Sequence, residues 1–182
     1  MKRLLVMARR FSALVLVGTL FVGLAPAPVA HAATSPYLRQ SLEKKVNVAR
    51  TLRGLRPLRA STYVCPAAML NKACMQAFAA NHAVQMARAG DIFHDTTYRL
   101  WREVPVIAWW RAENVGWVSK RYVNGTYTSD GTAADMHLAF MRSSGHRANI
   151  LNPRATHLGF GVYQTPRRVY FVQRFTDVYP LP

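Results

Sequence analysis

The chain predicts an α+β fold, and three observations carry that prediction. Helical periodicity dominates the first part of the sequence, two strand-like apolar runs joined by a short turn close it, and no repeat of alternating strand and helix lies between them. Helices first and an antiparallel strand pair last is the order of an α+β domain. With 182 residues the chain has room for one domain and not comfortably for two.

The elements follow in order. From Leu38 to Leu55, apolar residues recur at Leu42, Val46, Ala49 and Leu52, the spacing of one helical face. Gly54 and Pro57 end that helix. A second helix runs from about Cys74 to Ala89, rich in Ala and Met, with Gly90 as its C-terminal cap. Residues 91–105 read as irregular with one turn of helix, and residues 106–110 as a short strand or loop leading into a segment around Glu113. Asn124-Gly125, between Tyr122 and Tyr127, is a hairpin turn signal. Asn124-Gly125-Thr126 also fits a glycosylation acceptor, but the turn suffices to explain it. Thr132 can cap a third helix over about 133–143, with Ala134, Leu138 and Met141 on one face. Gly159 to Gln164 and Val169 to Phe175 form the final strands, joined by Thr165-Pro166-Arg167-Arg168.

The first 32 residues read as a secretory signal: Lys2, Arg3, Arg9 and Arg10 precede an apolar run from Phe11 to Ala25, and Ala30-His31-Ala32 supplies the small residues of a cleavage site. The run is shorter than the roughly 20 residues a membrane span needs, and Ala25-Pro26-Ala27-Pro28 follows it. No second segment could span a bilayer, so the mature chain is expected outside the cell or in the cell envelope. Residues 33–37 are a flexible start, 38–177 the domain and 178–182 a tail. Removing the signal takes 4 of the 24 basic residues and none of the 8 acidic ones, which leaves a formal charge of +12. Such a charge favours anionic partners such as lipid head groups or wall polymers; export makes nucleic acid the least fitting of them. The bland alternative is that the arginines only confer solubility. The even count of two cysteines, Cys65 and Cys74, points in an exported chain to one disulfide. It would close a small loop and contribute about 2–3 kcal/mol. A zinc pair is the competing reading and lacks the short spacing and second pair such sites use.

Three short segments carry candidate chemistry: Phe93-His94-Asp95, Glu113-Asn114-Val115-Gly116 and Ser143-Ser144-Gly145-His146. His94, Glu113 and His146 together are a ligand set suited to zinc or a similar divalent ion with an open position. The spacing alone is weak support, because no local helical His pair clips the site together. Each residue also has a structural reading: His94 capping loop backbone, Glu113 orienting amides, and His146 bonding a carbonyl at a helix end. His82 and His137 fall inside helices, where structural or exposed roles fit better, and His157 reads as a surface residue before the strand pair. Ser144 belongs to no G-x-S-x-G elbow, which removes the serine-hydrolase reading. Trp109, Trp110 and Trp117 are read as core, or as the wall of a groove beside Glu113.

Taken in order, these segments resemble the CAP superfamily, also called SCP: cysteine-rich secretory proteins, antigen 5 and pathogenesis-related 1 proteins, closest to the bacterial secreted branch. The likeness spans Leu38 to Asp177. It runs through Val46-Asn47 with Arg50, Ala77 to Ala87, Phe93-His94, Glu113 to Gly116, Ser143 to Leu151, and the strands Gly159 to Val162 and Tyr170 to Phe175. The resemblance implies a three-layer α-β-α sandwich with a central antiparallel sheet and a cleft lined by His94, Glu113 and His146. Many members carry a second glutamate shortly after an aromatic of the third helix. With Phe140 in the aromatic's place, Ser143 stands where that glutamate would be, and Asp135 lies earlier on the helix. The family implies extracellular binding of lipids, sterols, proteins or cations. The expectation is therefore a secreted binding module for a hydrophobic or anionic ligand, with a divalent-cation site in the cleft. The alternative is a metal-assisted hydrolase in which His94 and His146 hold the ion and Glu113 acts as ligand or general base.

Overall fold

The last strand shows how the layers are arranged. In the computed structural model, which describes residues 35–60, 75–95 and 110–177, this strand (β6, Arg168–Thr176) is an inner strand of the sheet against which two others pair. Its side chains alternate between two apolar clusters, as the two-residue period of a strand requires. Val169, Phe171 and Phe175 join one cluster with Leu38, Leu42, Val46, Met136 and Phe140. Tyr170 and Val172 join the other with Ala79, Ala83, Met86 and Val115. Both faces of the strand are thus buried, each under its own layer of helix.

The chain order is α1 (Pro36–Thr51), β1 (Arg59–Ala60), α2 (Met75–Ala89), β2 (Arg111–Ser119), β3 (Tyr122–Val123), β4 (Thr126–Tyr127), α3 (Ser129–Arg142), α4 (Ser144–Ile150), β5 (His157–Gln164) and β6. The main sheet has the order β1-β5-β6-β2. It is antiparallel except for the two residues of β1, which run parallel to β5. Helix α2 covers one face through β5 and β6, and α1, α3 and α4 cover the other. This is the α+β, three-layer sandwich expected from the sequence. The hairpin β3-β4 turns at Asn124 and Gly125, both at positive φ (49° and 76°), the backbone that an Asn-Gly turn supplies at low cost. Cys65 and Cys74, the signal segment, residues 106–109 and the tail from 178 lie outside the described residues.

Three expectations are corrected. The third helix starts a turn earlier than expected, because Thr128 caps it: its Oγ1 accepts from Gly131 N at 3.1 Å. Thr132 instead accepts from Arg121 N and donates to Thr128 O. The buried stripe is consequently Thr132, Ala133, Met136 and Phe140, while Leu138 is 48% exposed; a polar residue with a local backbone partner occupies a core position that apolar counting overlooks. In α1, Leu52 falls past the helix end and is 79% exposed. His157, expected on the surface, is buried as the first residue of β5, its Nδ1 2.9 Å from Thr156 Oγ1, because that strand begins two residues before its apolar run.

At the end of α1 the last buried position belongs to Arg50, which is fully buried without a carboxylate partner among its recorded hydrogen bonds. Its Nε donates to Arg56 O (2.9 Å), Nη1 to Ile150 O (2.8 Å) and Asn152 O (2.9 Å), and Nη2 to Ala155 O (3.3 Å). These carbonyls include the C-terminal end of α4, which a helix leaves unpaired and whose partial negative charge suits a cation. Burial lowers the Arg50 pKa from its ordinary value. One side chain thereby joins α1 to the turn that delivers β5. On the opposite face, Gly161 of β5 sits so close to α2 that an added Cβ would lie 1.8 Å from Ala79 O.

Gly161→Ala cannot be accommodated by a side-chain shift, since the obstacle is backbone; it should destabilise by about 3 kcal/mol, the upper part of the overpacking range. Gly145→Ala, at a helical position with open space around it, should be neutral or stabilise by up to about 1 kcal/mol. Equal denaturation midpoints for the two variants would contradict this packing. Arg50→Lys should destabilise by about 2–4 kcal/mol, because an ammonium cannot span a fork of four carbonyls and strands some of them in the interior; a urea midpoint unchanged from the parent would show the fork is dispensable.

Candidate functional site

Strand β2 is the edge of the sheet, and successive residues on a strand face opposite sides. Glu113 therefore points to the α2 layer and Asn114 to the layer of α3 and α4. The candidate site is built around this pair. Glu113 stands directly across from Arg174 in the β2–β6 register, and Asn114 across from Gln173.

On the α2 side, both carboxylate oxygens of Glu113 are engaged. Oε2 accepts from Arg174 Nε at 2.9 Å. Oε1 accepts from the backbone N of Asp95 at 3.0 Å and lies 3.1 Å from His94 Nδ1. Arg174 is almost fully buried and also donates from Nη2 to Asp95 Oδ2 at 2.7 Å. One guanidinium therefore bridges two carboxylates, the charge-assisted geometry in which arginine is strongest. His82 of α2 completes the underside: its Nε2 donates to Phe93 O at 2.7 Å, its ring meets the Phe93 ring edge-on at 5.2 Å, and its Nδ1 is 3.9 Å from Asp95 Oδ2. The segment 93–95 is thus held at three successive residues. His94 is the outermost of these groups, its side chain 61% exposed against 10% for Glu113.

On the other side, Asn114 is fully buried and joins three elements. Its Nδ2 donates to His146 O (3.1 Å) and to Gln173 Oε1 (2.9 Å), and its Oδ1 accepts from Asn149 Nδ2 (2.8 Å). The short helix α4 is thereby fixed against β2, and His146 with it. The His146 ring meets the buried Phe140 ring edge-on at 4.9 Å. Burial pushes the His146 imidazole below its ordinary pKa, and the charge of neighbouring His94 pushes the same way. Ser143 is the junction of α3 and α4, half-buried, and makes no capping bond with its side chain. Asp135 is further back on α3, paired with Arg121 at 2.6 Å.

The structure thus joins His94 directly to Glu113, while His146 is placed by Asn114 and packed on Phe140. It does not bring Ser143 or Asp135 into that network. Glu113 already holds Arg174 through Oε2 and the Asp95 amide and His94 through Oε1, and among the described residues no group of three His, Cys, Asp or Glu side chains is gathered as a metal cluster. Sequence reading passed over Arg174, Asp95, Asn149 and the tie between Asn114 and Gln173. The available signal was the pair Gln173-Arg174 inside an otherwise apolar strand, a place where unpartnered polar groups are costly.

Comparison with known proteins agrees with this architecture. No curated protein matches the chain. Among solved structures, the fold is similar to an extracellular protein containing an SCP domain from Bacillus anthracis (TM-score 0.53, 23% identity, covering 75% of this chain and 39% of that one). It is also similar to a cysteine-rich secretory protein from Staphylococcus aureus (0.55, 20%, covering 80% and 40%) and to an outer surface protein from Borrelia burgdorferi (0.59, 13%, covering 79% and 95%). The chain spans about two fifths of the length of the first two. Residues 44–175, which hold His94, Glu113, Asn114, His146 and Arg174, match the cysteine-rich secretory protein family, and the chain belongs to that family, CAP.

Proposed function

We propose that the protein is an exported CAP-domain binding module whose cleft recognises a hydrophobic or anionic ligand and performs no hydrolysis. The observation that carries this reading is the state of Glu113. With Oε2 on Arg174 and Oε1 on the Asp95 amide and His94, the carboxylate is already engaged on both oxygens, which suits an anchor better than a base that must take a proton from water. It works instead as an anchor that holds His94 at the mouth. The metal-assisted hydrolase reading would require Glu113 to take on an ion or a water beside the contacts it already makes to Arg174, Asp95 and His94. The signal-like N-terminus, the +12 charge of the chain after residue 32 and the extracellular description of the Bacillus anthracis relative support an exported protein. No described helix is long and apolar enough to cross a membrane.

The test joins stability to ligand binding. An anchoring Glu113 predicts that Glu113→Ala lowers stability by about 3–5 kcal/mol, because it takes from the buried Arg174 one of its two carboxylate partners; a catalytic carboxylate predicts unchanged or improved stability when removed. Thermal unfolding separates the two. With decanoate as a hydrophobic anionic probe, calorimetry should show saturable binding. The double variant His94→Ala/His146→Ala should weaken it about tenfold, the loss of one charge-assisted contact. Zinc titrated into the same samples should give no saturable heat. Ester or peptide hydrolysis that is abolished by a chelator and by Glu113→Gln would overturn the binding-module reading.

A further inference from the structure

The end of the sheet opposite Glu113 has a surface that the cleft does not explain. Where β2 ends, Lys120 N donates to Arg167 O at 3.0 Å, and Ser119 pairs with Arg168. The start of the β3-β4 hairpin is thereby tied to the turn between β5 and β6. Cations and aromatic rings interleave here. The Arg168 guanidinium lies 4.0 Å from the centre of the Trp117 ring, Lys120 Nζ lies 5.3 Å from the Tyr127 ring, and the Tyr122 and Tyr127 rings are 5.9 Å apart. Arg121 and Arg167 are exposed, with Asp135 paired to the first. At the hairpin itself, Tyr122 is 53% and Val123 52% exposed.

The geometry points to this end as a docking surface for an anionic phospholipid bilayer. Each part suits an interface of that kind. Lys120, Arg121, Arg167 and Arg168 supply positive charge that complements acidic head groups. Trp117 and Tyr122 have the apolar body and polar tip that settle at head-group depth. Val123, a bare branched hydrophobe beside the turn, can enter the acyl boundary, which a hydrated polyanion gives it no reason to do. The tight Asn124-Gly125 turn presents this edge with little conformational entropy left to lose. The surface lies away from His94 and His146, so the proposal shares with the binding-module reading only the exported location.

The experiment is sedimentation of the full chain with vesicles of phosphatidylcholine containing one-quarter phosphatidylglycerol, against vesicles of phosphatidylcholine alone. The apolar N-terminal run is common to all variants, so differences between them report the hairpin end. The parent should partition to the anionic vesicles, and less so as salt rises. Lys120→Ala/Arg167→Ala should lower partitioning about tenfold or more, from about tenfold-scale effects per pair of basic residues, and Tyr122→Ser/Val123→Ser several-fold, with circular dichroism unchanged. His94→Ala/His146→Ala should bind vesicles like the parent, which keeps this outcome separate from that of the cleft. Parent-like partitioning by both hairpin-end variants would overturn the proposal. So would a parent that binds soluble polyglycerol phosphate as tightly as vesicles while Tyr122→Ser/Val123→Ser changes neither, since the surface would then read a polyanion and not a bilayer.

Discussion

The guanidinium of Arg174 is the group on which the arrangement around Glu113 and His94 depends. It is buried between a carboxylate from the neighbouring strand and one from the loop after α2, and it donates to both. Remove it and two acids face each other in a place that water reaches poorly, a situation that costs several kcal/mol before any ligand is considered. Because Glu113 is neutralised from behind, its remaining oxygen can hold the Asp95 amide and the His94 ring in one fixed arrangement. The position of His94 at the surface is thus decided by a residue that is itself hidden.

Two buried arginines divide the work of holding the layers together. Arg174 satisfies acids, and Arg50 satisfies backbone carbonyls at the end of α4 and in the turn beyond it. The short helix α4 is held from two directions: Arg50 fixes its C-terminal end, while Asn114 of β2 fixes His146 and Asn149. A seven-residue helix has little stability of its own. Its placement is therefore a tertiary fact, produced by hydrogen bonds to side chains from α1 and β2.

How much of this could be read from the sequence depends on the kind of residue involved. The strands β5 and β6 and the helix α2 were legible, because apolar periodicity reports burial directly. The His94–Glu113 contact was legible only through family resemblance, since nothing in the spacing places the segment at His94 beside strand β2. The error in α3 had a specific origin: Thr132 occupies a core position by bonding Thr128 and Arg121, and a pattern that counts only apolar residues slips by one and selects Leu138. The role of Arg174 was hidden for a related reason. A charge in an apolar strand signals a buried partner, but which of the chain's acids that partner is depends on the register of β2 against β6 and on the path of the loop at Asp95.

That register also explains why one strand serves two different surfaces. Near its start, β2 presents Glu113 to a buried arginine and Asn114 to an amide network, so the polar side-chain atoms of both residues are met from within. Near its end, Trp117 is covered only by the side chain of Arg168, and the chain then turns out into a hairpin whose Tyr122 and Val123 face water. Charge is internally compensated at the first end, where two acids flank Arg174. It is left largely uncompensated at the second, where Lys120 and Arg167 add to Arg121 and Arg168 beside Asp135. Three acids of this strongly basic chain, Asp95, Glu113 and Asp177, are drawn into internal hydrogen bonds, which leaves fewer of them to balance the surface arginines and lysines. The hairpin end is where that excess meets exposed aromatic and aliphatic surface, so electrostatic attraction and apolar contact act there on the same partner.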